Sequence, residues 1–156
     1  MSEPVETNEL FLSQIKRHEG LRLETYVCPS GFLTIGYGHN LEAQPIKGLG
    51  IEAQITPEEA NSILVRDCRS FAKQLDKRLQ GWRDLCLPRQ AVLLNMAFNL
   101  GVPGILGFRR MLDAVRRGHW YTAHDEMLGS KWAGQVGRRA VELARQMQTG
   151  LWQSGV

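Results

Sequence analysis

A carboxyl, a thiol, a hydroxyl and an imidazole fall within one short stretch, residues 19–39: Glu19, Cys28, Thr34 and His39. These are the groups that move protons and attack electrophiles. Glu19 closes a run of helical character and precedes Gly20, so its side chain lies at a helix C-terminus, where the negative end of the dipole disfavours a charged carboxylate. Facing a partly desolvated cleft, such a carboxyl is pushed further toward its neutral form, the form a general acid needs at neutral pH. Position alone fits an exposed carboxylate in front of a helix-ending glycine just as well. Cys28 and His39 are also the parts of a nucleophilic site, a thiol and a base, but nothing nearby supplies a third group to orient the imidazole. Taken alone, Cys28 is a turn residue whose unperturbed thiol, with a pKa of about 8.5, is mostly protonated at pH 7. His119 and His124 are five apart, which is not the i, i+4 spacing of a metal-binding pair; no metal and no cofactor are expected.

The elements that must position these groups are legible in outline. Residues 7–19 read as a helix capped by Thr7 or Asn8, with Leu10, Phe11, Ile15 and His18 on one stripe and Gly20 at a left-handed C-terminal position. Leu21–Val27 is β-compatible, Cys28–Gly31 is a turn, and Phe32–His39 reads as a second strand containing close-approach glycines. A small antiparallel sheet of about three short strands results, too small to stand alone. Thr56 and Glu59 form a capping box with Pro57 at the first helical position, opening a long helix over 57–80 that Gly81 stops. Its apolar stripe is Ala60, Ile63, Leu64, Cys68, Phe71, Leu75 and Leu79. Pro88 opens a helix from Arg89 to Leu100 that is apolar nearly all round, hence buried, and shorter helices follow near 108–117, 119–128 and 138–148. The fold class expected is α+β: one domain over 1–156 in two lobes. Residues of about 13–56 form the sheet lobe, 57–80 connect, and 81–156 form the helical lobe, with the N-terminal helix packing on it. A cleft between lobes is a natural ligand site.

The chain has 156 residues, of which 43% are hydrophobic and 22% charged, a globular composition of about one domain's length. No run reaches the ~18 apolar residues of a membrane span. The acidic, polar start (Glu3, Glu6, Glu9) lacks the basic and apolar regions of a secretory signal, so accumulation in the cytoplasm is expected. Three cysteines without CxxC spacing exclude a disulfide framework and a Cys-rich zinc module. Net charge is +3, but residues 1–79 carry 9 basic and 11 acidic side chains whereas residues 80–156 carry 10 and 5. A basic C-terminal half suits an anionic partner such as cell wall or nucleic acid; it also describes an ordinary solvated helix face.

The run His18-Glu19-Gly20-Leu21-Arg22-Leu23-Glu24-Thr25-Tyr26, followed by Gly31-Phe32-Leu33-Thr34-Ile35-Gly36-Tyr37-Gly38-His39, resembles the lysozymes of T-even bacteriophages and their prophage relatives (glycoside hydrolase family 24 endolysins). Eight residues separate Glu19 from Cys28 and five separate Cys28 from Thr34, which resembles the family's catalytic pattern, in which the second position is Asp or Cys. Asn95–Gly101, Lys131-Trp132, Arg138-Arg139-Ala140 and Thr149–Trp152 resemble its later segments in the same order.

The resemblance implies a muramidase that hydrolyses the β-1,4 bond between N-acetylmuramic acid and N-acetylglucosamine. Glu19 would be the general acid, with Cys28 and Thr34 on the side of the attacking water; a Cys28 that activates the water and one that attacks the sugar itself, with net retention, are both open at this point. Arg139 would pair with Glu19, favouring its ionised form against burial and the helix dipole. His39 and Asp67 would form a structural ion pair, and Asn40, Phe98 and Asn99 would line the saccharide groove, although Phe98 also suits a core and the asparagines also suit a helix or turn. Trp132 would belong to the core. The implied partners are peptidoglycan glycan strands and, functionally, a holin that releases the enzyme to the wall. A monomer without nucleic acid or stable membrane association is expected. The rival chemistries are a peptidoglycan amidase or endopeptidase built on Cys28 and His39, a lytic transglycosylase cutting the same bond with one Glu, and a non-enzymatic basic module that binds wall or nucleic acid.

Overall fold

In the computed structural model, which describes residues 3–154, a single 3-10 turn, Val5–Thr7, leads into helix α1, Glu9–Glu19. Asn8 is the cap: its side chain accepts from the backbone N–H groups of Leu10 and Phe11, satisfying donors the helix leaves open. Thr7 donates instead to the carbonyl of Pro4. Phe11 and Ile15 are fully buried, whereas Leu10, expected on the same stripe, is 55% exposed. Gly20 ends the helix, but with φ 72° and ψ 155° rather than in the left-handed helical state expected. That extended, positive-φ state is open essentially to glycine alone.

The sheet has three antiparallel strands in the order β1 (Arg22–Val27), β2 (Leu33–Gly36) and β3 (His39–Asn40). Thr34 pairs with Tyr26 on one side and Asn40 on the other. The continuous strand expected over 32–39 is therefore two strands. Gly36 and Gly38 both take positive φ, 68° and 74°, and the chain reverses at that point. Alternating side chains cannot reveal such a reversal, because the period is 2 on either side of it. Beneath the sheet lies a small core of Ile35, Leu41, Ile55 and Ala60.

Helix α2, Pro57–Arg78, carries the capping box: Glu59 N–H donates to Thr56 Oγ1, and Thr56 N–H to Glu59 Oε1, each at 3.1 Å. It ends two residues before the expected boundary, because Leu79 has already left helical geometry on the way to the left-handed turn at Gly81. At 1.5 Å per residue it is roughly 33 Å long. Ala60 near its start belongs to the small core, while Leu64, Cys68, Ala72 and Leu75 belong to a larger one.

That larger core is built from α3 (Leu87–Leu100), α4 (Val102–Leu106), α5 (Arg109–Arg117), α6 (Trp120–Leu128), α7 (Lys131–Val136) and α8 (Arg138–Thr149). Every residue of α3 from Gln90 to Ala97 is buried, as its all-round apolar composition requires. It starts at Leu87, two residues before the expected position, with Pro88 inside the first turn. α4 and α7 are additions to the expected elements; five and six residues are too few to show a period. Val5, Phe11 and Ile15 also join this core, so the start of the chain packs with its C-terminal half. Among the described residues no helix is long and apolar enough to cross a membrane.

Candidate active site

Glu19 is the last residue of α1, and its carboxylate is held from two sides. Arg139, at the start of α8, donates from Nη1 to Glu19 Oε2 at 2.7 Å. At the β2–β3 reversal the backbone of Gly38 passes so close that a Cβ there would stand 2.7 Å from Glu19 Oε1. A residue with a side chain at position 38 would displace the carboxylate, so this glycine answers the expectation of a close approach in the strand region. Glu19 is 16% and Arg139 10% exposed at the side chain. Because a guanidinium only donates, Oε2 must accept, and Oε1 is the oxygen that can carry a proton.

Cys28 follows β1 and opens the turn to β2. Its backbone pairs with the other end of that turn, Cys28 N–H donating to Phe32 O and Gly31 N–H to Cys28 O. The backbone amide of Phe32 acts most on the thiol. Burial opposes it, and the amides of Ser30 and Gly31 add to the lowering; together they hold Cys28 below the ordinary thiol range. A larger thiolate fraction at neutral pH follows. Thr34 is buried in β2 and donates its hydroxyl hydrogen to Phe32 O at 2.8 Å, which leaves the oxygen's lone pairs free to accept. Tyr26 pairs with Thr34 across the strands. Burial raises its phenol, Arg22 lowers it, and the charges of Cys28 and Glu19 both raise it further. Tyr26 is a residue the sequence gives no chemical reason to single out, yet the charges of both Glu19 and Cys28 bear on it.

His39 stands apart from this chemistry. Its Nδ1 lies 2.6 Å from Asp67 Oδ2 and its Nε2 2.7 Å from the carbonyl of Gln44. Burial works against protonation, but the Asp67 hydrogen bond and charge, with the Gln44 carbonyl, raise His39 above the ordinary histidine value. Both ring nitrogens are engaged, so neither is free to serve as base for the Cys28 thiol.

The three expected groove residues hold structural contacts as well. Asn40 Oδ1 accepts from the backbone of Glu42 and Ala43. Phe98 packs against Phe71 with ring centroids 5.6 Å apart. Asn99 Oδ1 accepts from Trp132 Nε1 at 2.7 Å, and Trp132 itself is buried. Next to that pair, a pocket of about 610 Å³ is lined by Phe108, Arg109, Arg110, Lys131 and Trp132; Glu19, Cys28 and Thr34 do not line it.

Sequence reasoning did not single out Asn95 for the site. It lies fully buried in α3, and its Oδ1 accepts from both Nε and Nη2 of Arg139, at 3.0 and 2.8 Å. A polar residue within an all-apolar helix was the available signal.

A family model described as phage lysozyme matches residues 16–148. The chain is 30% identical to the "Pre-baseplate central spike protein Gp5" of Enterobacteria phage T4 over 92% of its own length, but it spans only 28% of that protein. It is 25% identical to "Probable T4-type lysozyme 1" of Dictyostelium discoideum, covering 87% of this chain and 92% of the relative. An "Endolysin" of Acyrthosiphon pisum secondary endosymbiont phage 1 is 33% identical, over 61% of this chain and 60% of the relative.

Proposed function

The chain belongs to the phage lysozyme family, and on that premise we propose that it is a peptidoglycan-lytic hydrolase, a muramidase cleaving the β-1,4 bond between N-acetylmuramic acid and N-acetylglucosamine. The observation that carries this reading is the setting of Glu19. It is a shielded carboxyl with one oxygen committed to Arg139, the other left to carry a proton, and a thiol of lowered pKa whose charge, like that of Glu19, bears on Tyr26.

Glu19 gives the proton on Oε1 to the bridging glycosidic oxygen as the bond to the anomeric carbon breaks. On the opposite face of the sugar, Cys28 as thiolate takes a proton from a water whose other hydrogen is held by Thr34 Oγ1. The resulting hydroxide adds to the anomeric carbon, and an acid and base set on opposite faces give inversion. Asn40, Phe98 and Asn99 flank the glycan strand in this reading, and Arg139 holds the acid. The protein is a monomer that needs no cofactor, and it acts in host cell lysis after a holin admits it to the wall.

Purified wild type, Glu19→Gln and Cys28→Asp, incubated with wall sacculi, test the proposal. Wild type and Cys28→Asp should release reducing ends, whereas Glu19→Gln should lose activity by at least ~100-fold. Products carrying one water more than anhydro-muropeptides separate hydrolysis from transglycosylation. Release of free amines in place of reducing ends, or an active Glu19→Gln, would overturn the assignment.

A further inference from the structure

Behind Arg139 a line of side chains continues through the junction of α1, α3 and α8. Asn95 Nδ2 lies 3.1 Å from His18 Nδ1. On the other edge of the same ring, His18 Nε2 lies 3.1 Å from Glu142 Oε1, with its N–H directed off the oxygen. Glu142 also accepts from Arg17 through both its oxygens and from Gln14, all at 2.7 Å. Burial works against the charged Glu142 carboxyl, but the hydrogen bonds of Arg17 and Gln14, with His18 beside it, hold its pKa down at about 2. His18 is 5% and Glu142 6% exposed at the side chain.

The direction of every bond in this line follows from two groups that have no choice. Arg139 can only donate, so the Asn95 atom facing it is the carbonyl oxygen, and the amide nitrogen must face His18. An amide nitrogen can only donate, so His18 Nδ1 must accept. At the other end Glu142 is ionised and can only accept, which agrees with hydrogen on Nε2, 3.1 Å away, though that N–H makes no hydrogen bond to it. The Asn95 contact selects one neutral tautomer, Nε2–H, and the imidazole in turn keeps Asn95 from turning over. Were the Asn95 amide reversed, its NH2 would face the guanidinium, donor against cation, and the Nη1 bond to Glu19 would lose its support.

We infer that His18 is a positioning residue for the Glu19 acid, acting through Asn95 and Arg139. The inference rests on the reading of Glu19 given above for its catalytic consequence, but not for its geometry. His18 touches no reacting atom. It supplies one acceptor, at one place, that fixes the polarity of the bonds behind the acid.

Two measurements test it on the intact protein. Long-range 1H–15N correlation of the histidine rings should show His18 as the Nε2–H tautomer; an Nδ1–H tautomer would overturn the proposal whether or not the protein lyses walls. Kinetics then compare His18→Leu, which removes the acceptor, with His18→Asn, whose Oδ1 falls near the place of Nδ1. Both are assayed well below their melting midpoints. His18→Leu should lower kcat about 10- to 100-fold, the range expected for a misplaced reactive group, with KM within about twofold. His18→Asn should recover most of that loss even where its melting temperature is no higher than that of His18→Leu. Equal kcat in wild type and His18→Leu, or His18→Asn as impaired as His18→Leu, overturns it. A wild type that releases no reducing ends refutes the function instead, and the tautomer measurement still decides the relay.

Discussion

At the scale of single residues, the carboxyl of Glu19 is held on one side by a side chain and on the other by the absence of one. Gly38→Ala inserts a methyl group 2.7 Å from Glu19 Oε1 and does so at φ 74°, where an L-residue is strained by about 1–3 kcal/mol. The substitution is expected to lower the melting temperature modestly and to reduce wall lysis by about 100-fold. A melt and a turbidity assay on one preparation check both effects. An equivalent Gly48→Ala, at φ 86° with open space around its Cβ, should cost stability without the loss of lysis. The proposed roles of Glu19, Cys28 and Thr34 were legible only through the family resemblance of residues 18–39, since their positions alone suit an exposed carboxylate and a turn cysteine equally. Asn95 and the partners of His18 were not, because the contact of His18 with Asn95 closes over 77 residues and hydrogen-bond polarity leaves no trace in composition.

At the scale of elements, the pair His39–Asp67 ties β3 to α2, with side chains only 3% and 14% exposed. The raised His39 pKa gives this tie a definite pH dependence. A group whose folded value exceeds its unfolded value contributes stability that is complete below the unfolded value, near 6.5, and lost as the pH climbs through the folded one. Asp67→Asn should therefore cost about 2 kcal/mol at pH ~5.5 and progressively less toward alkaline pH. Urea unfolding at several pH values measures this, and a penalty that grows with pH would contradict it. Helices with caps and a clear stripe, α1 and α2, were readable to within two residues. The split of the second strand and the short helices α4 and α7 were not, since a reversal at two glycines and a five-residue helix carry too few side chains to display a period.

At the scale of the whole molecule, charge is segregated: the second half of the chain carries twice as many cations as anions. Arg116 and Arg117 are partly answered by Asp113, while Arg109 and Arg110 line the open pocket beside Trp132. Adsorption to an anionic wall should weaken severalfold as salt rises from about 0.01 to about 0.15 M, because the screening length falls from about 30 to about 8 Å. Sedimentation with sacculi measures it. The double change Arg109→Ala, Arg110→Ala should flatten the salt dependence.

The N-terminal helix that bears Glu19 packs with the C-terminal helices, and its ties to Glu142 and Arg139 close over 120 residues or more. During synthesis Glu19, the proposed proton donor, therefore leaves the ribosome long before the arginine that holds it, by about 6–24 s at 5–20 residues per second. Until α8 emerges, the nascent chain carries the acid without its clamp, so a ribosome stalled before Arg139 leaves an incomplete centre however well the sheet has formed.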